Sequence, residues 1–254
     1  MDLLVENSNR NYYLKKIKFC ELLIIDSNEL KECRCRGISV EIPPELQSML
    51  DAEHGPTKQK AARLVVDLAA SAGASEFTRC AHAHVSGVSV ITGGHGLRRF
   101  LSDLSGDPEG TVSIPTTLNS AGCDREQIEE MGIDYENFLE YQFEIIHAYS
   151  ELDIEATLSC TPYDRGIEME SGIGSWAESN AVCFSNSYTS LMTNRESGLS
   201  ALATALTGWA PLWGLHLEKN RIPNILVKVE ASMENLADWS VLGDWIGMQI
   251  KPEW

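Results

Sequence analysis

The stretch Ser175–Gly198, "SWAESNAVCFSNSYTSLMTNRESG", threads Glu178, Ser179, Asn180, Asn186, Ser187 and the run Thr193–Glu196 between Trp176, Ala181, Val182, Phe184 and Leu191. Each buried polar group without a partner costs about 1–3 kcal/mol, so such a mixture calls for something that completes its hydrogen bonding. A small polar ligand does this when donors and acceptors are held rigid and apolar neighbours exclude water. Other candidates lie upstream and downstream. In "PTTLN", Thr116, Thr117 and Asn119 can aim hydroxyls and a carboxamide at a ligand oxyanion, although the same residue types build ordinary turns. Cys160 in "SCTPYDRG" suits a small buried hydrophobe, a thiolate nucleophile or a ligand of a metal or iron–sulfur centre. His84 and His216 sit in short apolar runs, as core histidines or as site acids, bases or anion partners. Arg195 and Arg221 can grip a carboxylate or phosphate bidentately, or form surface ion pairs.

The elements that must position these groups alternate in type. Pro56 stands where a helix begins, and Ala61, Leu64, Val65, Leu68 and Ala72 follow at helical spacing. The signal returns at Leu97, Phe100, Leu101 and Leu104, at Leu139, Phe143 and Ile146, and at Leu199, Leu202, Ala203 and Leu206 before Gly208. Between the helices, residues 85–91, 111–115, 154–160 and 224–231 read as short strands. Such alternation predicts an α/β domain with a largely parallel sheet flanked by helices. Functional groups then gather at the carboxyl ends of the strands, where "TTLN" and "CTPY" are expected.

Net charge is −17, which disfavours nucleic acid and anionic membrane surfaces as partners. The seven cysteines are dispersed without a CxxC pair, as suits a reducing, cytoplasmic setting, and neither a secretory signal nor a membrane-length apolar run is expected. Residues 1–37 differ in composition from residues 38–254 and read as an atypical N-terminal extension; the isolated Cys33-x-Cys35 in it is a weak metal signal.

Taken in order, "MLDAEHGPTKQKA", "AHVSG", "PTTLN", "SCTPY", "WAESNAV", "TNRESGLSALATALTG" and "GLHLEKNR" resemble the catalytic part, or large subunit, of the aconitase X family, from about Ile38 onward. The resemblance implies an aconitase-like layered domain and a hydro-lyase removing water from a small hydroxy acid. The substrate it implies is (R)-5-phosphomevalonate, giving trans-anhydromevalonate 5-phosphate in a modified mevalonate route, with cis-3-hydroxy-L-proline as the alternative. It also implies an iron–sulfur cluster or iron centre held partly by Cys160, acting as Lewis acid on the leaving hydroxyl. Glu178, Ser179 and Asn180 form the implied catalytic set; His84, Thr116, Thr117, Asn119, Asn186, Ser187, Arg195, His216 and Arg221 are the implied substrate-binding residues. A small swivelling subunit is the implied partner. The family region continues past the position of Trp254 and supplies further cluster cysteines there, so a partial large subunit is expected. Ser190, Leu191 and Met192 replace the family's Gly, Ala and Arg, which leaves a catalytically silent relative retained for binding or assembly as another alternative.

Overall fold

The structure, a computed structural model, describes residues 40–124, 126–133, 137–167, 171–223 and 225–249, together with the backbone of Val5–Asn7. The proposed extension over residues 1–37, with Cys20, Cys33 and Cys35, therefore lies outside the described residues apart from that short strand. By its internal contacts the chain divides into two compact units, residues 26–220 and residues 1–25 with 221–254. In the smaller unit, strand β1 (Val5–Asn7) pairs antiparallel with a strand at Ile225–Val227, and a helix spans Leu236–Gln249.

In the larger unit, α1 (Pro44–Leu50) and α2 (Gly55–Ala72) come first. Pro56 occupies the first turn of α2, where its missing N–H costs nothing, and Gly73 ends the helix in the left-handed conformation. Strands β2 (Phe77–Arg79) and β3 (His82–Val85), helix α3 (Val90–Ser105), strand β4 (Thr116–Leu118) and helix α4 (Phe138–Glu151) follow. After them come β5 (Gly172–Trp176), α5 (Ser179–Tyr188), β6 (Leu191–Arg195), α6 (Gly198–Thr207) and β7 (Trp209–Pro211), which pairs antiparallel with β2. The Ile225–Val227 strand is β8 and the last helix α7.

Four strands form one parallel sheet in the order β4-β3-β5-β6. Alternation along the strands separates its faces. Val85, Leu118 and Ala177 join the main core with buried residues of α1, α2, α3, α4 and α6. On the opposite face Trp176 and Leu191 pack with Ala181 and Val182 of α5 and with Ala81 and Tyr163. Alanines 61, 62, 69, 201, 203 and 205 are all buried, and their small side chains let α2 and α6 approach closely.

The expected layered α/β architecture is present, with different strands from those expected. "VSGVSVI" contributes only Val85 to β3, because Ser89 caps α3 through the Ile91 N–H (3.2 Å) and turns the rest into helix. Residues 111–115 stay outside the sheet, since the Val112 and Ser113 amides bond instead to the carbonyls of Leu152 and Ala205 (2.9 and 2.7 Å). The run 154–160 makes a single bridge, Glu155 to Thr117. The sheet is completed by β5 and β6, whose strand character the sequence pattern does not announce.

Candidate active site

From β3 the chain moves outward to β4 on one side, then crosses back over β3 to β5 on the other. This reversal opens a crevice at the carboxyl ends of the strands, the place where parallel α/β sheets bind ligands. Asn119, directly after β4, and Glu178, two residues after the end of β5, meet there: the Asn119 amide donates to Glu178 Oε2 at 2.9 Å. The Ser179 N–H donates to Oε1 of the same carboxylate at 3.1 Å, which caps α5. Both oxygens of Glu178 therefore act as acceptors. Its backbone sits at φ 147°, ψ 123°, a region that non-glycine residues occupy at a cost of about 1–3 kcal/mol. Backbone strain of this kind concentrates at functional sites because the surrounding structure over-determines it.

Cys160 lies beside this pair. Asn180 donates through Nδ2 to the Cys160 carbonyl (2.9 Å), and the Ser120 hydroxyl is 3.1 Å from the Cys160 sulfur. Tyr163 hydrogen-bonds Asn180 and stacks on Phe184 with ring centroids 3.7 Å apart; burial raises its phenol above the usual range. Ser120, Tyr163 and His82 belong to the site's surroundings without having been singled out. Ser120 follows "PTTLN" and Tyr163 ends "SCTPY", so adjacency to the motifs was the available signal.

Beneath the crevice, His84 is fully buried with Nδ1 2.8 Å from Thr117 Oγ1. Burial first, and His82 second, push its pKa down to about 4, so its ring is neutral near pH 7. His82 accepts from the Trp176 indole N–H (3.1 Å) and is likewise held down to about 4 by burial. At the end of β6, in register with Trp176, Arg195 is exposed and makes no ion pair among the described residues.

Several expected site residues serve the scaffold. Thr116 and Thr117 lie within β4, not in a turn after it, and Thr116 donates to the Ile114 carbonyl (2.8 Å) on the other face. Asn186 donates to the carbonyls of Val182 and Thr193 (2.9 and 2.8 Å) and accepts from the Thr193 N–H (3.2 Å), stitching α5 to β6. Ser187 is exposed and folds back on the Cys183 carbonyl at 2.5 Å. Both ring nitrogens of His216 face carbonyl oxygens, of Pro211 (3.0 Å) and Gly174 (3.1 Å), so this buried ring straps β5 to the segment after β7. Arg221 belongs to the other compact unit. The structure thus brings together Asn119, Cys160, Glu178, Ser179 and Asn180, with His84 below.

A resident metal centre finds only a partial donor set. Cys160 is a half-buried thiol at the crevice, whereas Cys80 is buried, with burial and the Glu196 charge opposing its ionisation. Among the described residues no group of three or more His, Cys, Asp and Glu side chains could hold a metal ion. Cys160 fits one ligand of such a centre, and a single thiolate does not retain a cluster. Among the described residues, too, no helix is long and apolar enough to cross a membrane.

The family model described as the aconitase X first domain matches residues 39–219. A phosphomevalonate dehydratase large subunit of Methanosarcina mazei is 39% identical over 208 residues, covering 81% of this chain and 51% of that protein. A cis-3-hydroxy-L-proline dehydratase of Pseudomonas aeruginosa is 35% identical over 185 residues, covering 72% of this chain and 31% of that protein. The crystal structure of Thermococcus kodakaraensis aconitase X in its holo-form superposes with a TM-score of 0.68 at 35% identity, over 83% of this chain and 52% of that one. The chain spans about half the length of the large subunits it matches. With the family match running through the sheet, the crevice and the segment after β7, the chain belongs to the aconitase X family.

Proposed function

We propose that this chain binds and orients a small hydroxy acid for dehydration, as the large-subunit component of a hydro-lyase acting on (R)-5-phosphomevalonate. The observation that carries the reading is the Asn119–Glu178 hydrogen bond across the switch-point crevice, with Cys160 and Asn180 beside it. Loss of water needs a group that moves a proton and groups that hold the substrate's oxygen atoms. Glu178 is the described carboxylate at the crevice, held by two donors and by its own strained backbone, and we assign it the proton-handling role. Arg195, without a carboxylate of its own among the described residues, serves one of the substrate's anionic groups.

Cys160 is proposed as one ligand of an iron–sulfur or iron centre whose remaining ligands come from outside the described residues, and a small subunit is proposed as partner. Support for the partner is the name "large subunit" carried by the similar phosphomevalonate dehydratases. The described Cys80, Cys160 and Cys183 are free thiols, which supports a reducing, cytoplasmic setting. Cis-3-hydroxy-L-proline is the second substrate reading, supported by two similar dehydratases at 35% and 33% identity.

The test is anaerobic co-expression with iron, a small subunit and a polypeptide carrying the relatives' remaining half, followed by dehydration assays on both substrates. Formation of trans-anhydromevalonate 5-phosphate, lost in Glu178→Gln, is the expected result; turnover of hydroxyproline alone would overturn the substrate assignment. In the same assembly Cys160→Ala should lower iron content and visible absorbance, and unchanged values in both would remove its role as a ligand.

A further inference from the structure

Helices α3 and α4 lie side by side and leave a solvent-open groove of about 580 Å³ between them, which no residue of the crevice lines. Arg98 is held there on three sides. Its Nε pairs with Glu144, its guanidinium carbon lies 3.9 Å from the centroid of the Tyr141 ring, and its Nη1 is 3.2 Å from His95 Nδ1. A guanidinium can only donate, so this contact makes Nδ1 the acceptor and leaves the imidazole proton on Nε2. Further along α4, His147 Nε2 is 3.4 Å from Glu151, so both carboxylates of the groove already have a partner. The wall formed by α3 does not. Arg99, Ser102 and Ser105 line the groove at i, i+3 and i+6 spacing, on one face of the helix, and their side chains make no hydrogen bond or ion pair among the described residues. With the His95 Nε2–H one turn before Arg99, this wall presents a row of unused donors.

We propose that the α3–α4 groove is a second ligand site, separate from the crevice, which takes the phosphate group of a small phosphate monoester on Arg99, Ser102 and the His95 Nε2–H. One guanidinium fork uses both oxygens of a carboxylate. A phosphate keeps a third oxygen for the Ser102 hydroxyl, and its larger charge is needed on a chain whose net charge of −17 repels anions. Arg98 does not compete for this role, because Glu144, Tyr141 and His95 already fix it; it adds positive charge at a set position and orients the His95 ring. The groove is far larger than a phosphate group and lies within the roughly 300–1,000 Å³ of small-molecule sites, so the phosphate enters as an ester whose organic part extends along the helices. The site stands or falls independently of the function proposed for the crevice.

The experiment is a calorimetric titration of the full chain at low salt with glycerol 3-phosphate, and with glycerate as its carboxylate counterpart. Wild type should bind the phosphate ester about tenfold or more tightly than glycerate, through the added charge and the third oxygen. Arg99→Gln removes a charge from an exposed side chain that has no partner to lose, so the fold should stand while affinity for the phosphate ester falls by about tenfold or more. Ser102→Ala should lower it by about threefold or more, the loss of one hydroxyl hydrogen bond. Arg195→Gln, at the end of β6, should leave this affinity unchanged, which separates the groove from the crevice. Affinity retained in Arg99→Gln, affinity lost in Arg195→Gln, equal binding of glycerate, or no binding of the phosphate ester by wild type would each overturn the proposal, and none of these results bears on whether the crevice dehydrates a hydroxy acid.

Discussion

Gln142 is a polar side chain of α4 that is almost wholly buried in the main core, and its replacement by leucine tests how the crevice is held. Its Oε1 accepts from the Val90 N–H at 3.1 Å and its Nε2 donates to the Val88 carbonyl at 2.8 Å, with Val88 and Val90 themselves buried. The side chain thereby pins the connection between β3 and α3, which passes the carboxyl edge of the sheet. Gln142→Leu preserves volume but strips a buried N–H and a buried C=O of their partners, each worth about 1–3 kcal/mol. Burying leucine in place of an amide returns about 1.5–3 kcal/mol, which leaves a net loss of about 3–4.5 kcal/mol when the two orphaned groups lie at the costly end. For a domain of this size that lowers the melting temperature by roughly 6–18 °C. Far-UV circular dichroism melts and urea titrations of wild type and variant supply the comparison. A leucine variant that melts within about 1 °C of wild type, with an unchanged urea slope, would refute the claim that these two bonds hold the connection.

Gly198→Ala should destabilise by about 1–3 kcal/mol, because a Cβ there runs into the Ser86 carbonyl oxygen; helix propensity by itself expects a gain, so a raised melting temperature would reject the packing argument. Asn186→Ala should lower stability by about 1–3 kcal/mol with ligand affinity unchanged, since its carboxamide bonds backbone groups of α5 and β6; loss of ligand binding at full stability, measured by calorimetry, would restore it to the site. Acid should weaken the fold through His82 and His84, whose folded pKa values of about 4 lie below the unfolded value of about 6.5. Their contribution is complete above about pH 6.5 and is lost as the pH falls towards 4, by about 2 kcal/mol for each ring at pH 5. Urea titrations at pH 7 and pH 5 should show a smaller pH difference in His84→Gln than in wild type, and an equal difference would rule out His84 as a contributor.

The helices were legible because their cause is local. Apolar residues at helical spacing, Pro56 at a start and Gly208 in the left-handed conformation at an end mark α2 and α6 in the sequence as in the structure. Strands β5 and β6 were not legible: "GIGSW" and "LMTNR" are short, and burial on both faces removes the alternation that marks a half-exposed strand. Their polar residues are closed by partners remote in sequence. Asn194 donates to the Trp213 carbonyl and accepts from the Leu215 N–H, and Thr193 Oγ1 accepts from the Trp176 N–H.

That difference also decides what became of the polar run Ser175–Gly198. Residue types alone established that many donors and acceptors must be buried together, and the ordered motifs established the family to which they belong. Which of them face a ligand depended on the order of the strands. Crossing back over β3 carries Glu178 to Asn119 and places Asn180 on the Cys160 loop, while the same chain path seats Asn186, Asn194 and His216 against backbone groups that use their hydrogen bonds. Asparagine and histidine side chains look alike in a sequence whether they brace a strand or bind a substrate, because each carries the same donors and acceptors. Only the tertiary structure decides which of those groups is met by protein and which, like Asn119 Oδ1, is left for something else.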